Sequence, residues 1–341
     1  MSSNSRQKTT SPHAVITHTS LPHPGSASSH DGLAESNASL RHIASIASIV
    51  VALALVGVKL WAWLTTGSIS LLSSAADALV DVVASVVTFT GVKYASQPVD
   101  HDHRYGHGKG EAVAALVQAI LLAGAAIGLG AESVMRLITP APLEQLGFGI
   151  YVVIGSTCAA AALVAMQTYV VNRTQSTAIA ADRAHYMTDI AVNIAVLIAL
   201  ALDHLFGWVR ADSAGALLIS CYMLWNARSM ADDSLSQLLD SELTDDEREK
   251  IRATVLSCDK VQGMHDLRTR YGGDRVFVDF HVEVDGAMSV TEGHTICDVV
   301  ELAVADLFPA ADVTAHLEPT GLDDVRLDEQ VALNGRSTKR S

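Results

Sequence analysis

The stretch GSISLLSSAADALVDVVASVVTFTG, residues 67–91, carries no charge except Asp77 and Asp81. A run of this length crosses about 30 Å of hydrocarbon as a helix, and an ionised carboxylate inside it costs roughly 3 kcal/mol. Acidic groups at such depth mark ion pathways more often than they serve as polar glue between helices. Four residues apart, Asp77 and Asp81 share one helix face. A second pair at the same spacing, His185 and Asp189, lies in another apolar segment. Three carboxylates and one imidazole form the ligand set of a labile tetrahedral site for Zn²⁺ or a similar first-row cation. Three buried anions also repel one another, so the site should hold metal or protons in alternation.

Across the whole chain, 49% apolar and only 18% charged residues in 341 point to a membrane protein. Six segments are long enough to span: Ile43 to Leu64, Ser68 to Tyr94, Glu111 to Leu137, Leu146 to Val171, Thr177 to Leu202 and Ala211 to Met230. Arg6, Lys8, Arg41, Lys93, Arg104, Lys109, Arg173, Arg183 and Arg228 flank one set of ends, against Arg136 and Arg210 on the other, which predicts both termini in the cytoplasm. Lys59, late in the first span, is expected to snorkel to the interface.

The net charge of -14 is concentrated after residue 230, which describes an acidic soluble domain and argues against nucleic-acid binding. Cys158, Cys221, Cys258 and Cys297 show no CxxC spacing and fit neither a disulfide framework nor a thiolate zinc knuckle. No nucleophile–base pair or phosphate loop appears, so no enzymatic chemistry is expected. The first 36 residues read as a disordered Ser/His/Pro tail in which His13, His18, His23 and His30 lack ligand spacing.

After Leu239 the pattern changes. Thr244 and Glu247 form a capping box for a charged helix, Val276 to Val284 alternate as a strand after the Gly272-Gly273-Asp274 turn, a helix follows over 289–308, and a strand over 312–318. The order helix, strand, strand, helix, strand makes a small two-layer α+β domain. His265, His281, His294, His316 and Glu318 are its candidate ligands. A further set lies in the loop after the second span, where Asp100, His103 and His107 are spaced for one metal. The expected domains are a tail over 1–36, a membrane all-α six-helix transmembrane domain over 37–235, a cytoplasmic α+β domain over 236–322, and a disordered tail over 323–341.

Together these residues resemble the cation diffusion facilitator family, in its bacterial zinc and iron efflux branch. The likeness runs from about Leu40 to Pro319 and rests on Gly67-Ser68, Asp77 with Asp81, His185 with Asp189, the Tyr-Gly-His-Gly-Lys of 105–109, and the run His265-Asp266-Leu267-Arg268-Thr269-Arg270. The resemblance implies a proton-coupled antiporter that exports divalent cations, Zn²⁺ first and Fe²⁺, Cd²⁺ or Co²⁺ as alternatives, from the cytoplasm by alternating access. It implies a homodimer in the bacterial inner (cytoplasmic) membrane, with a metallochaperone-like, ferredoxin-like αββαβ domain at the dimer contact. It places the transport site on Asp77, Asp81, His185 and Asp189, a loop site on Asp100, His103 and His107, and a binuclear regulatory site on His265, His281, His294, His316 and Glu318. Glu318 stands where close relatives usually carry Asp. Lys109 and Asp240 match a charge pair that holds protomers together near the membrane. The alternative from another class is a membrane-anchored metal sensor or scaffold that binds ions without moving them.

Overall fold

A computed structural model describes residues 28–66, 69–139, 149–208, 210–308, 310–322, 326–328, 330, 331 and 333. The expected span starts at Ser68 and Leu146 and the tail histidines His13, His18 and His23 lie outside those residues. Helices α1 (Ser28–Thr66), α2 (Ile69–Ala95), α3 (Gly110–Ile138), α4 (Gly149–Thr174), α5 (Thr177–Phe206) and α6 (Ala211–Leu238) follow the six apolar segments. Among the described residues, α1 to α4 each contain a stretch long and apolar enough to cross a membrane. Helix α5, with Asp182, Arg183 and Asp189, and α6, with Asp212, Arg228 and Asp232, are not among those four.

Small residues set the helix spacing. The buried face of α3 consists largely of alanines, with Gln118 among them. Gly91 of α2 meets it so closely that a Cβ there would stand 2.4 Å from the Ala114 Cβ, so a larger side chain would force the helices apart.

The cytoplasmic domain comprises α7 (Asp245–Leu256), β1 (Gly263–Tyr271), β2 (Val276–Val284), α8 (Val290–Ala305) and β3 (Ala311–Pro319). Both helices start with complete capping boxes, Thr244 with Glu247 and Ser289 with Glu292. The sheet order is β1-β2-β3, with β1 antiparallel and β3 parallel to β2. The parallel pairing requires the crossover that α8 supplies. Val278, Phe280 and Val282 of β2 pack with Ile251 and Val255 of α7 and with Val300 and Val304 of α8 into one core.

The two domains meet through charge and bare backbone. Arg41 of α1, buried at 5% exposure, bridges Glu111 of α3 at 3.2 Å and Asp274 of the β1–β2 turn at 2.9 Å. A Cβ at Gly108 would lie 2.0 Å from the Gly272 carbonyl oxygen, so the loop after α2 lies directly against that turn. Gly273 has φ +85°, a conformation glycine adopts without strain. Arg270 lies 4.8 and 4.7 Å from the ring centroids of Tyr105 and Phe277, which themselves meet edge-to-face.

Candidate metal centres

Asp81 of α2 meets His185 and Asp189 of α5. His185 Nε2 lies 3.0 Å from Asp81 Oδ1 and 3.9 Å from Asp189 Oδ2, and one ligand atom from each of the three lies within 4.8 Å of the others. Helical spacing delivers His185 and Asp189 together, and the crossing of α2 with α5 supplies the third ligand. Asp77, one turn earlier on α2, is exposed on the chain's surface and outside this group of three.

The loop after α2 brings Asp100, His103 and His107 together. Asp100 Oδ1 is 3.2 Å from His103 Nδ1, and Asp100 Oδ2 is 3.2 Å from His107 Nε2. The Asp100 carboxylate also accepts backbone N–H groups from His103 at 2.6 Å and Asp102 at 2.9 Å. The His103 N–H foremost therefore holds its carboxyl below the usual carboxylate range. His107 is buried edge-on against Tyr94, with ring centroids 4.8 Å apart.

In the cytoplasmic domain, His265 pairs with His281 across β1–β2, and His281 with His316 across β2–β3, so three histidines stand in one row. Their ring centroids are 5.0 and 4.8 Å apart. Glu318 reaches all three: its oxygens lie 3.2 Å from His265 Nε2, 2.9 Å from His281 Nδ1 and 3.6 Å from His316 Nε2. His294 stands apart on α8, exposed, with its nearest carboxylate Asp298 at 3.8 Å.

Two residues absent from the expected ligand set join this cluster. Asp266 comes within 4.8 Å of His265 and His281 because a break in the β1 register between His265 and Arg268, with φ 51° at Asp266, turns its side chain. Glu283 Oε1 lies 3.2 Å from His265 Nδ1 and 2.6 Å from Arg326. The alternation along β2 put Glu283 on the same face as His281 and was the available signal. Nothing local announced the bulge.

Asp240 lies 2.9 Å from Lys109 and 3.4 Å from Arg270 within one protomer. Burial raises its carboxyl, but the hydrogen bond and charge of Lys109 outweigh this and hold it below the ordinary range.

A multi-pass membrane bundle with a metal-type cluster between two of its helices, a second in its loop and a third on an appended acidic domain defines a class, the integral membrane proteins that handle divalent cations. Comparison with known proteins narrows it. A cation efflux transmembrane domain matches residues 45–239, and the cytoplasmic domain of cation efflux proteins matches residues 243–320. The cation-efflux pump FieF of Shewanella oneidensis is 41% identical over 281 residues, 82% of this chain and 95% of that protein. The FieF of Klebsiella pneumoniae is 39% identical over 279 residues, 82% of this chain and 93% of that protein. A solved structure of CzrB in its zinc form matches 25% of this chain and 99% of that chain at 39% identity, with a TM-score of 0.24. The chain belongs to the cation diffusion facilitator family and is a cation efflux transporter.

Proposed function

We propose that the protein exports Zn²⁺ from the bacterial cytoplasm in exchange for protons, as a homodimer with six spans per protomer and both termini cytoplasmic. Asp81, His185 and Asp189 bind the ion, and Asp77 completes the tetrahedron as α2 shifts against α5. The observation that carries this reading is the meeting of two carboxylates and an imidazole between two membrane helices. Such a donor set suits zinc and cadmium, with Fe²⁺ and Co²⁺ next. In the inward-facing state the ion displaces protons from these side chains; after the helices rock, protons from the other side displace the ion.

The loop set Asp100, His103 and His107 takes a second ion near the membrane surface. The row His265, His281 and His316 with Glu318, joined by His294 in the dimer, takes regulatory ions. Metal there neutralises the acidic cluster and draws the two cytoplasmic domains together, which reports cytoplasmic excess to the membrane part.

The test is Zn²⁺ flux into proteoliposomes under a proton gradient, native chain against Asp81→Ala. Gradient-dependent uptake that falls at least 100-fold in the variant is expected, since the tetrad acts as a unit. Tight binding without flux of zinc, iron, cadmium or cobalt would instead establish the sensor reading.

A further inference from the structure

One turn before His185, α5 places a third carboxylate, Asp182, at 0% exposure. The transport-site reading does not use it. Its Oδ2 accepts the Ser48 hydroxyl of α1 at 2.5 Å and the Gln167 amide of α4 at 2.7 Å, and its Oδ1 accepts the Gln118 amide of α3 at 3.4 Å. Ser48 continues the network to Ser85 of α2 at 3.0 Å, and Ser85 to the Tyr186 hydroxyl of α5 at 3.1 Å. Gln118 anchors back to α2 through the Ala84 carbonyl at 2.8 Å and Thr88 at 2.7 Å. Three other helices thus donate to one carboxylate of α5, and α2 joins the network through Ser48 and Gln118.

Asp182, His185 and Asp189 occupy positions i, i+3 and i+7 and form one stripe along α5. Whatever fixes the rotation of α5 at Asp182 therefore also fixes where the two metal ligands point. Small apolar residues set how closely membrane helices approach, but they carry no directional bond to fix a rotation. A rotation of about 20° moves a side-chain atom about 6 Å from the helix axis through about 2 Å, ten times the tolerance of about 0.2 Å for a metal–ligand distance. Helix cohesion alone does not call for an ionisable group, since apolar replacement of buried charge is often neutral or stabilising. A hub of directed hydrogen bonds supplies a single rotational setting.

We propose that Asp182 is a positioning residue for the intramembrane metal site, acting through the rotation of α5 rather than by touching the ion. The inference rests on the transport-site reading above and extends it to a residue outside the tetrad.

The test uses the full chain with Zn²⁺ as probe. Binding is measured on detergent-solubilised protein and KM in proteoliposomes, for Asp182→Ala, Asp182→Asn and Gln167→Leu, with Asp81→Ala alongside. Asp182→Ala is expected to weaken the intramembrane sites and raise KM about tenfold, as loss of outer support to metal ligands does, while cytoplasmic metal binding stays native. Gln167→Leu removes one donor and gives a smaller shift in the same direction. Asp182→Asn keeps the size: its oxygen, in the place of Oδ2, accepts from both Ser48 and Gln167, and its NH2 replaces the oxygen that took only the longest bond, from Gln118 at 3.4 Å. That variant should restore most of the affinity, which a lost ionisable charge would not allow.

Native intramembrane affinity in Asp182→Ala overturns the proposal, as does Asp182→Asn no better than Asp182→Ala. Should Asp182→Ala fail to fold, Gln167→Leu and Asp182→Asn decide the matter by the same comparison. A native chain that binds Zn²⁺ but does not transport it, or an Asp81→Ala variant that still transports, overturns the functional reading instead, and the binding data still judge Asp182.

Discussion

In the membrane domain the candidate metal ligands come from two helices that share no backbone hydrogen bonds, whereas in the cytoplasmic domain His265, His281 and His316 stand across three strands of one ladder. Sliding or tilting α2 against α5 changes the distance from Asp81 to His185 without breaking a backbone bond. The three histidines cannot be separated without disrupting the sheet. The first arrangement suits a site that must take up an ion and release it on the other side. The second suits one that holds its geometry while the metal concentration changes. What the sheet leaves open is its outer strand, where His316 faces solvent; His294 faces solvent apart from it, on α8.

Four experiments bear on this contrast. Phe280, 1% exposed beneath the histidine row, is its largest fully buried support, and Phe280→Ala should lower the stability of the cytoplasmic domain by about 3–5 kcal/mol. Differential scanning calorimetry of the full chain should show the cytoplasmic transition moved down while Zn²⁺ still binds in the membrane. Loss of both sites together would mean that Arg41 and Asp274 weld the domains into one folding unit.

Next in size, His281→Ala with His316→Ala should weaken cytoplasmic Zn²⁺ binding about tenfold or more, shift the metal concentration at which transport accelerates, and leave the KM of the membrane site unchanged. An unaltered metal dependence of transport would remove regulation from the sheet. A smaller effect is expected at Thr244, whose side chain caps α7: Thr244→Ala should cost about 1 kcal/mol, seen as a modest drop in the cytoplasmic melting temperature with native metal binding at both places.

The smallest effect concerns the C-terminal segment. Asp266 Oδ1 accepts the Asp328 N–H at 3.0 Å, while the Asp266 N–H donates to Asp328 at 3.1 Å. Burial raises the Asp266 carboxyl, but the N–H groups of Leu327 and Asp328 together hold it below the usual range. A depressed carboxylate pKa stabilises the docked segment above the unfolded value of about 3.9, and that stabilisation is lost as pH falls through the folded value. Hydrogen exchange at residues 326–328 should therefore stay protected from pH 7 down to about 4 and lose protection below that. Loss of protection already near pH 6 would mean that the Asp266 carboxylate does not hold the segment.

Much of this was written in local spacing. Residues four apart predicted that His185 and Asp189 act together, the alternation over 276–284 predicted the buried face of β2, and Thr-x-x-Glu predicted the start of α7. The same spacing did not reveal that Asp81 rather than Asp77 would meet them, because that depends on how α2 and α5 cross. Asp182 is no more legible: beside Arg183 at the start of an apolar segment it reads as an interfacial charge, and its burial depends on Ser48, Gln118 and Gln167 from three other helices.

Periodicity and composition within some thirty residues thus suffice for the membrane class, the apolar segments, the candidate ligands and the order of the αββαβ tail. Which of the candidates converge follows only from how the chain packs. The histidine row depends on strand register, where a one-residue slip would send each side chain to the opposite face, and the entry of Asp266 depends on a bulge. The five-helix hub at Asp182 and the Arg41 bridge depend on contacts between groups 15 to 233 residues apart in the chain, a separation no local pattern encodes.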